Sequence, residues 1–305
     1  MSIGAAVART LQQPAVLSGV GLHSGRRSTV RLCPAAAGTG IVFVRTDLPG
    51  RPVVSVRDFE GAAAPFRTAI KKGAAEVHTV EHILSALVGL AITDCRIEID
   101  EAEVPGMDGS ALDFVHAVRQ AGIRECAGTR AEPLVVGEPV HVEDGMASIE
   151  ALPYDGGLKI TYTLDYAGHP LAQGSYEIEL DAESYAREIA PARTFVLKKD
   201  AETMRAAGLG KGADYQNTVV IDGDRALETS LRFANEPVRH KILDLLGDLC
   251  LLGCTLQAHV VARCSGHRAN RALVLRLREC AGQPATCDIA AREAGATART
   301  ASHDH

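Results

Sequence analysis

Nowhere in this sequence do two cysteines form a C-x-x-C pair, although eight are present: Cys33, Cys95, Cys126, Cys250, Cys254, Cys264, Cys280 and Cys287. Structural thiolate zinc sites normally need that spacing, so the cysteines read as reduced fillers, and any metal belongs among histidines and carboxylates. No stretch approaches the roughly 20 apolar residues of a membrane span. The opening "MSIGAAVARTLQQPAV" lacks both the charged leader and the apolar core of a signal peptide. A basic stripe is also absent: the net charge is -6 and the Lys and Arg residues are scattered, which excludes a nucleic-acid surface and a polybasic membrane patch. The expectation is a cytoplasmic monomer that acts on a small molecule rather than a polymer.

What is present has the profile of a globular chain, with 305 residues, 46% hydrophobic and 23% charged, enough for one large domain or two ordinary ones. The β-branched, period-two segments "STVRLCPA", "GIVFVRTD", "DCRIEID", "EPLVVGEPVHVE", "GLKITYTLDY" and "AHVVARC" predict strands. Helices are predicted for "TVEHILSALVGL", "SALDFVHAVRQAG" with Ser110 as N-cap and Gly122 as C-cap, "DAESYAREI", "DAETMRAAG" and "EPVRHKILDLLGDLCLLG". The polar stretch "RECAGTRAEP", residues 124–133, reads as a linker. It separates an N-terminal domain over 1–126 from a C-terminal domain over 132–280, and residues 281–305 read as a disordered tail.

The two halves echo each other. "EHILSALVGL" and "RHKILDLLGDL" each put a histidine near a helix start and a glycine seven positions on, Gly89 after His82 and Gly247 after His240. Two similar α+β units whose helices face each other would bring the matching histidines to one seam. In "HKILD", His240 and Asp244 are four apart and project from one helical face. Alone they also fit a capped histidine beside a solvated aspartate. "HTVEH" supplies a third ligand, His82, and a base, Glu81. Three protein ligands leave one coordination place open, the arrangement of catalytic zinc. The same five residues match H-x-x-E-H, in which His78 and His82 would both bind zinc as in a metallopeptidase.

An ordered series of blocks, "SGVGLHSG", "TVEHILSAL", "VPGMDGSALDFV", "ARTFVL", "VRHKILDLLGDL" and "CSGHRAN", covers about residues 10 to 275. In that order they resemble the UDP-3-O-acyl-N-acetylglucosamine deacetylase family, the zinc amidases of lipid A synthesis. The resemblance implies an α+β fold of two similar domains, each a small β-sheet layered on helices, with the helical layers packed together and the metal in the cleft. It implies His82, His240 and Asp244 as ligands of zinc, a place that iron(II) fills as readily. Glu81 becomes the general base, His267 a second catalytic histidine and Asp248 its orienting carboxylate.

Hydrolysis of an acetamide builds up an oxyanion, to which the Thr194 hydroxyl in "ARTF" is expected to donate, while a protonated His267 serves the leaving amine. Lys241, beside His240, offers a point charge to a substrate phosphate. Phe195 and Tyr166 are similar to family aromatics that contact the sugar or stack on uracil. Residues 195–221 match a β-α-β insert that forms the acyl passage, with departures at Lys198 and in "GLGKGADYQNT". A non-catalytic nucleotide-lipid binding protein is the remaining reading. His23 has no derivable role, Asp108 reads as a turn and helix-entry residue, and His116, His141, His169 and His259 lack partners at ligand spacing.

Overall fold

The computed structural model describes residues 7–58, 66–129 and 132–282. The first half contains β1 (Val7–Leu11), β2 (Ala15–Val20), β3 (Arg27–Pro34), β4 (Ile41–Arg45), β5 (Val53–Ser55), β6 (Ala69–Lys72), β7 (Ala75–His78), α1 (Glu81–Gly89), β8 (Cys95–Ile99), α2 (Leu112–Ala121) and β9 (Ile123–Thr129). The second contains β10 (Leu134–Val135), β11 (Val140–Asp144), β12 (Ala147–Leu152), β13 (Leu158–Asp165), β14 (Gln173–Glu179), α3 (Ala182–Glu188), β15 (Phe195–Leu197), α4 (Lys198–Ala206), β16 (Val219–Asp222), β17 (Arg225–Leu227), α5 (Glu236–Leu249), β18 (Leu256–Arg263) and α6 (His267–Cys280). Among the described residues no helix is long and apolar enough to cross a membrane.

The weak repeat of the sequence is a real repeat of topology. One sheet runs β2-β3-β8-β4-β5 and the other follows the path β11-β12-β18-β13-β14. In each, the first three strands are antiparallel, the third runs parallel to the fourth, and the fifth is antiparallel to the fourth. The central strand of each sheet follows a helix, α1 or α5, and is followed by another, α2 or α6. Strict alternation makes this possible: β13 and β18 each bury every second residue, so one face is free to receive helices.

Helices α1 and α5 are the contact between the two layers. Eight of the nine residues of α1 are buried, as are twelve of the fourteen in α5. A helix pressed between its own sheet and a second helical layer has no solvated face. Gly247 makes the crossing close, because a Cβ there would fall 2.2 Å from the carbonyl oxygen of Glu81. Its counterpart Gly89 faces the ring of Tyr185, from which a Cβ would lie 2.2 Å. Between α3 and α5, β15, α4 and β16 form a parallel β-α-β unit with β17 added antiparallel.

Several local expectations are corrected. Residues 124–133 are not a plain linker, since most of them belong to β9, which pairs with β1 and ties the start of the first half to its end. Two short strands, β10 and β11, replace the single run expected for "EPLVVGEPVHVE". Ser110 does not occupy the N-cap of α2, which is Ala111, but its hydroxyl still accepts from the Leu112 N–H at 3.1 Å. Gly122, with φ of 75°, does end that helix. The tail expected over 281–305 lies, from residue 283 on, outside the described residues.

Replacing Gly247 by alanine pushes α5 away from α1. The expected cost is about 1–3 kcal/mol, read as a lower denaturant midpoint at unchanged m-value, together with weaker metal retention. A variant of wild-type stability that keeps its metal would show that the helices do not need this contact.

Candidate metal centre and active cleft

His82 is the second residue of α1, and His240 and Asp244 stand one turn apart on α5. The Nε2 atoms of His240 and His82 lie 3.3 and 3.8 Å from Asp244 Oδ1. The two imidazoles meet edge to face with centroids 5.1 Å apart. One ligand atom from each of the three residues falls within 4.8 Å of the others, and all three residues are buried. His240 is aimed by its other nitrogen, Nδ1, which donates to the Ala192 carbonyl at 3.0 Å and leaves Nε2 to the cluster. Burial pushes His82 down to about 3, with His240 adding to the fall and Asp244 opposing it, so its ring is neutral. Burial likewise lowers His240 against the pull of Asp244.

This donor set fits a divalent ion. Two neutral imidazoles and one carboxylate converge with no donor proton needed between them. Lys241 donates to Asp244 Oδ2 at 2.7 Å, leaving Oδ1 to the histidines. Its side chain is only 12% exposed. Burial disfavours the Lys241 charge, but Asp244 and the phenols of Tyr162 and Tyr166 outweigh it and raise the pKa.

Behind the ligands sits a second polar group. Glu81, the first residue of α1, is buried and accepts the Thr68 N–H at 3.1 Å on Oε2. Burial raises its pKa to about 7; His267 pulls it down, and Asp244 adds to the rise. Asp248, one turn beyond Asp244, is fully buried and receives the Thr68 hydroxyl, Asn270 Nδ2 at 2.8 Å and His267 Nδ1 at 2.8 Å. Burial opposes the His267 charge, but Asp248 beside it, with Asp244 and Glu81, carries the imidazole up to about 9. His267 therefore holds two protons at neutral pH. It begins α6, a helix that the sequence pattern does not predict. Its buried face mixes Asn270, Arg271 and Arg278 with Leu273, Val274 and Leu277, which breaks the apolar stripe.

A cleft of about 500 Å³ opens onto this ground, lined by Glu81, His82, Thr194, Phe195, Tyr166, Lys241 and His267. It continues along the β-α-β unit past Leu197, Met204 and Val220. Phe195 lies 6.1 Å from the Tyr166 ring and 6.4 Å from that of His240. Thr194 is held by backbone bonds to Gly109 and Val219. The preceding residue, Arg193, is buried against Glu236 at 2.9 Å, which anchors this segment to the start of α5. Lys198 turns outward and pairs with Asp222 at 2.8 Å, so it is no wall of the cleft.

The family model for UDP-3-O-acyl N-acetylglycosamine deacetylase matches residues 8–279. The chain belongs to this deacetylase family. Among its relatives, the UDP-3-O-acyl-N-acetylglucosamine deacetylase of Synechocystis sp. is 41% identical over 271 residues, 88% of this chain and 98% of the relative. Those of an Anaeromyxobacter species and of Leptospira biflexa are each 42% identical, covering 88% and 89% of this chain and 88% of each relative. Deacetylases of this family depend on a metal, and the His82–His240–Asp244 cluster is one that could hold it.

The H-x-x-E-H alternative fails on geometry. His78 ends β7, α1 starts only at Glu81, and Thr79 between them has φ of 57°, so His78 and His82 do not share a helical face. His78 instead lies 3.2 Å from Glu76. His23 lines the cleft, and the backbone N–H groups of His23 and Ser24 both donate to the buried Glu103. Asp108 accepts from the Ser110 N–H and hydroxyl, as a turn residue should, and also pairs with Arg232. Thr68, Asn270 and Glu103 escaped the sequence reading because each matters only through a partner distant in the chain.

His240→Ala and Asp244→Ala proteins are expected to lose the bound ion in elemental analysis after dialysis, while His78→Ala keeps it. Loss in His78→Ala with retention in His240→Ala would reverse the ligand assignment.

Proposed function

We propose that this chain hydrolyses the N-acetyl group of a UDP-3-O-acyl-N-acetylglucosamine, giving UDP-3-O-acyl-glucosamine and acetate for lipid A synthesis. Membership of the family supports the reaction class. The observation that carries the reading is the convergence of two histidines, an aspartate and a separate buried glutamate at the floor of one long cleft. Zinc is the ion proposed for His82, His240 and Asp244; iron(II) suits the same donors. When bound, such an ion acts as a Lewis acid on the amide carbonyl and acidifies water.

The chain's own residues carry the protons. Glu81 removes one from the attacking water as the new C–O bond forms at the acetyl carbon. Thr194 donates its hydroxyl to the oxyanion that develops there. His267, doubly protonated and held by Asp248, passes a proton to the sugar nitrogen as the C–N bond breaks. Acetate and a free amine leave. Lys241 neutralises Asp244 and offers its remaining N–H groups towards the substrate diphosphate, and Phe195 and Tyr166 form the wall against the sugar and uracil. The apolar arm of the cleft at Leu197, Met204 and Val220 suits a fatty chain. A cytoplasmic site of action belongs to the same proposal, and it agrees with the lack of a disulfide among the described residues.

The test is acetate release from UDP-3-O-acyl-N-acetylglucosamine, with and without a chelator. Activity is expected to vanish with chelator and to fall by roughly 10²–10⁴-fold in Glu81→Ala, with metal retained. Protein that binds zinc and the nucleotide lipid but releases no acetate would make it a non-catalytic binding protein instead.

A further inference from the structure

Two proton-carrying groups of the cleft, Glu81 and the Asp248–His267 pair, come from three helices, and one residue outside all three touches both, the first through its backbone and the second through its side chain. Thr68 is fully buried just before β6, in the hairpin of β6 and β7 that lies against the start of α1. Its N–H donates to Glu81 Oε2 at 3.1 Å. Its hydroxyl donates to Asp248 Oδ1 and lies 3.1 Å from His267 Nδ1. Thr68 is itself fastened, since its carbonyl accepts the Val80 N–H at 3.4 Å, one residue before Glu81.

The consequence for tautomer and aim follows from counting donors. Asp248 Oδ1 is taken by the Thr68 hydroxyl, and Oδ2 is shared by Asn270 Nδ2 and His267 Nδ1, each at 2.8 Å. With both oxygens engaged the carboxylate is held in place, and because the Thr68 hydroxyl gives its own proton to Oδ1, the His267 Nδ1 proton is directed to the nearer Oδ2. Nε2 of the same ring is left for the cleft. Meanwhile the backbone N–H of Thr68 fixes one oxygen of Glu81 and leaves the other for proton transfer. The geometry points to Thr68 as a positioning residue that sets the aim of both the acid and the base through a single rigid attachment.

The kinetic arm of the test rests on the deacetylase reading; the spectroscopic arm does not. Thr68→Val keeps the shape and the backbone N–H but removes the hydroxyl, and Thr68→Ser restores it. With metal content and thermal midpoint matched to wild type, Thr68→Val is expected to lower kcat by at least about tenfold with KM within about twofold, and Thr68→Ser to recover to within about threefold of wild type. In proton NMR, the low-field His267 Nδ1–H signal, assigned by its loss in His267→Gln, is expected to shift or broaden in Thr68→Val and to stay in place in Thr68→Ser. Wild-type kcat in the valine variant, a serine variant as slow as the valine one, or an unmoved Nδ1–H signal would overturn the proposal. Loss of metal or stability in step with activity would overturn it too, by making Thr68 part of the scaffold. If wild type releases no acetate, the reaction assignment fails, whereas the Nδ1–H comparison still decides whether Thr68 aims His267.

Discussion

The close crossing of α1 and α5 is the constraint on which the rest depends. Both helices are almost wholly buried, and each makes its main contact with the other. At Gly247 the backbones come so near that no side chain fits between α5 and the Glu81 peptide. That approach brings the first turn of α1 alongside the middle of α5. His82 and Glu81 thus arrive beside Asp244 and Asp248 without any loop reaching across. A site built on facing helices inherits their rigidity, which catalytic geometry needs to within fractions of an ångström.

Such a crossing forces titratable groups into the interior: Glu81, His82, His240, Asp244, Asp248 and Lys241 are all largely withdrawn from water. Unpaired, each would be costly. The protein arranges them in alternating sign, with Lys241 on Asp244, His267 on Asp248, and Thr68 and Asn270 completing the hydrogen bonds. In the His82–His240–Asp244 triad, two neutral imidazoles and one carboxylate oxygen converge, a donor set that could hold a cation. Farther out, the Arg193–Glu236 pair plays a supporting part. It flanks Ala192, whose carbonyl aims His240, and Thr194, which lines the cleft.

How much of this could be read without coordinates varied with the distance between partners. Helix α5 was legible because its apolar content and the His240–Asp244 pair are both local. The strands with β-branched alternation were legible for the same reason. The hairpin of β6 and β7 was not, because "AIKKGAAEVH" is short and only two of its residues, Ile70 and Val77, are large and apolar. Helix α6 was obscured by arginines that find buried places only in the assembled core. The polar segment at 124–133 read as a linker because a strand at the outer edge of a half needs no apolar alternation; its pairing with β1, more than a hundred residues away, makes it a strand.

The sequence by itself determined the chemistry at hand. It contains His240 and Asp244 one helical turn apart, His82 and Glu81 adjoining, a repeat of histidine and glycine in two helices, and six ordered blocks that identify the family. Those are properties of short windows, where spacing translates directly into direction along a helix. Which of the two histidines in "HTVEH" faces the cleft was decided only by the tertiary structure, through the break at Thr79 and the position of α5. The same holds for Thr68, Asn270 and Ala192, which bear on the site from 180, 22 and 48 residues away from their partners Asp248 and His240. Hydrogen bonds of such span leave no periodic trace, since their geometry comes from packing two layers together and not from the local course of the chain.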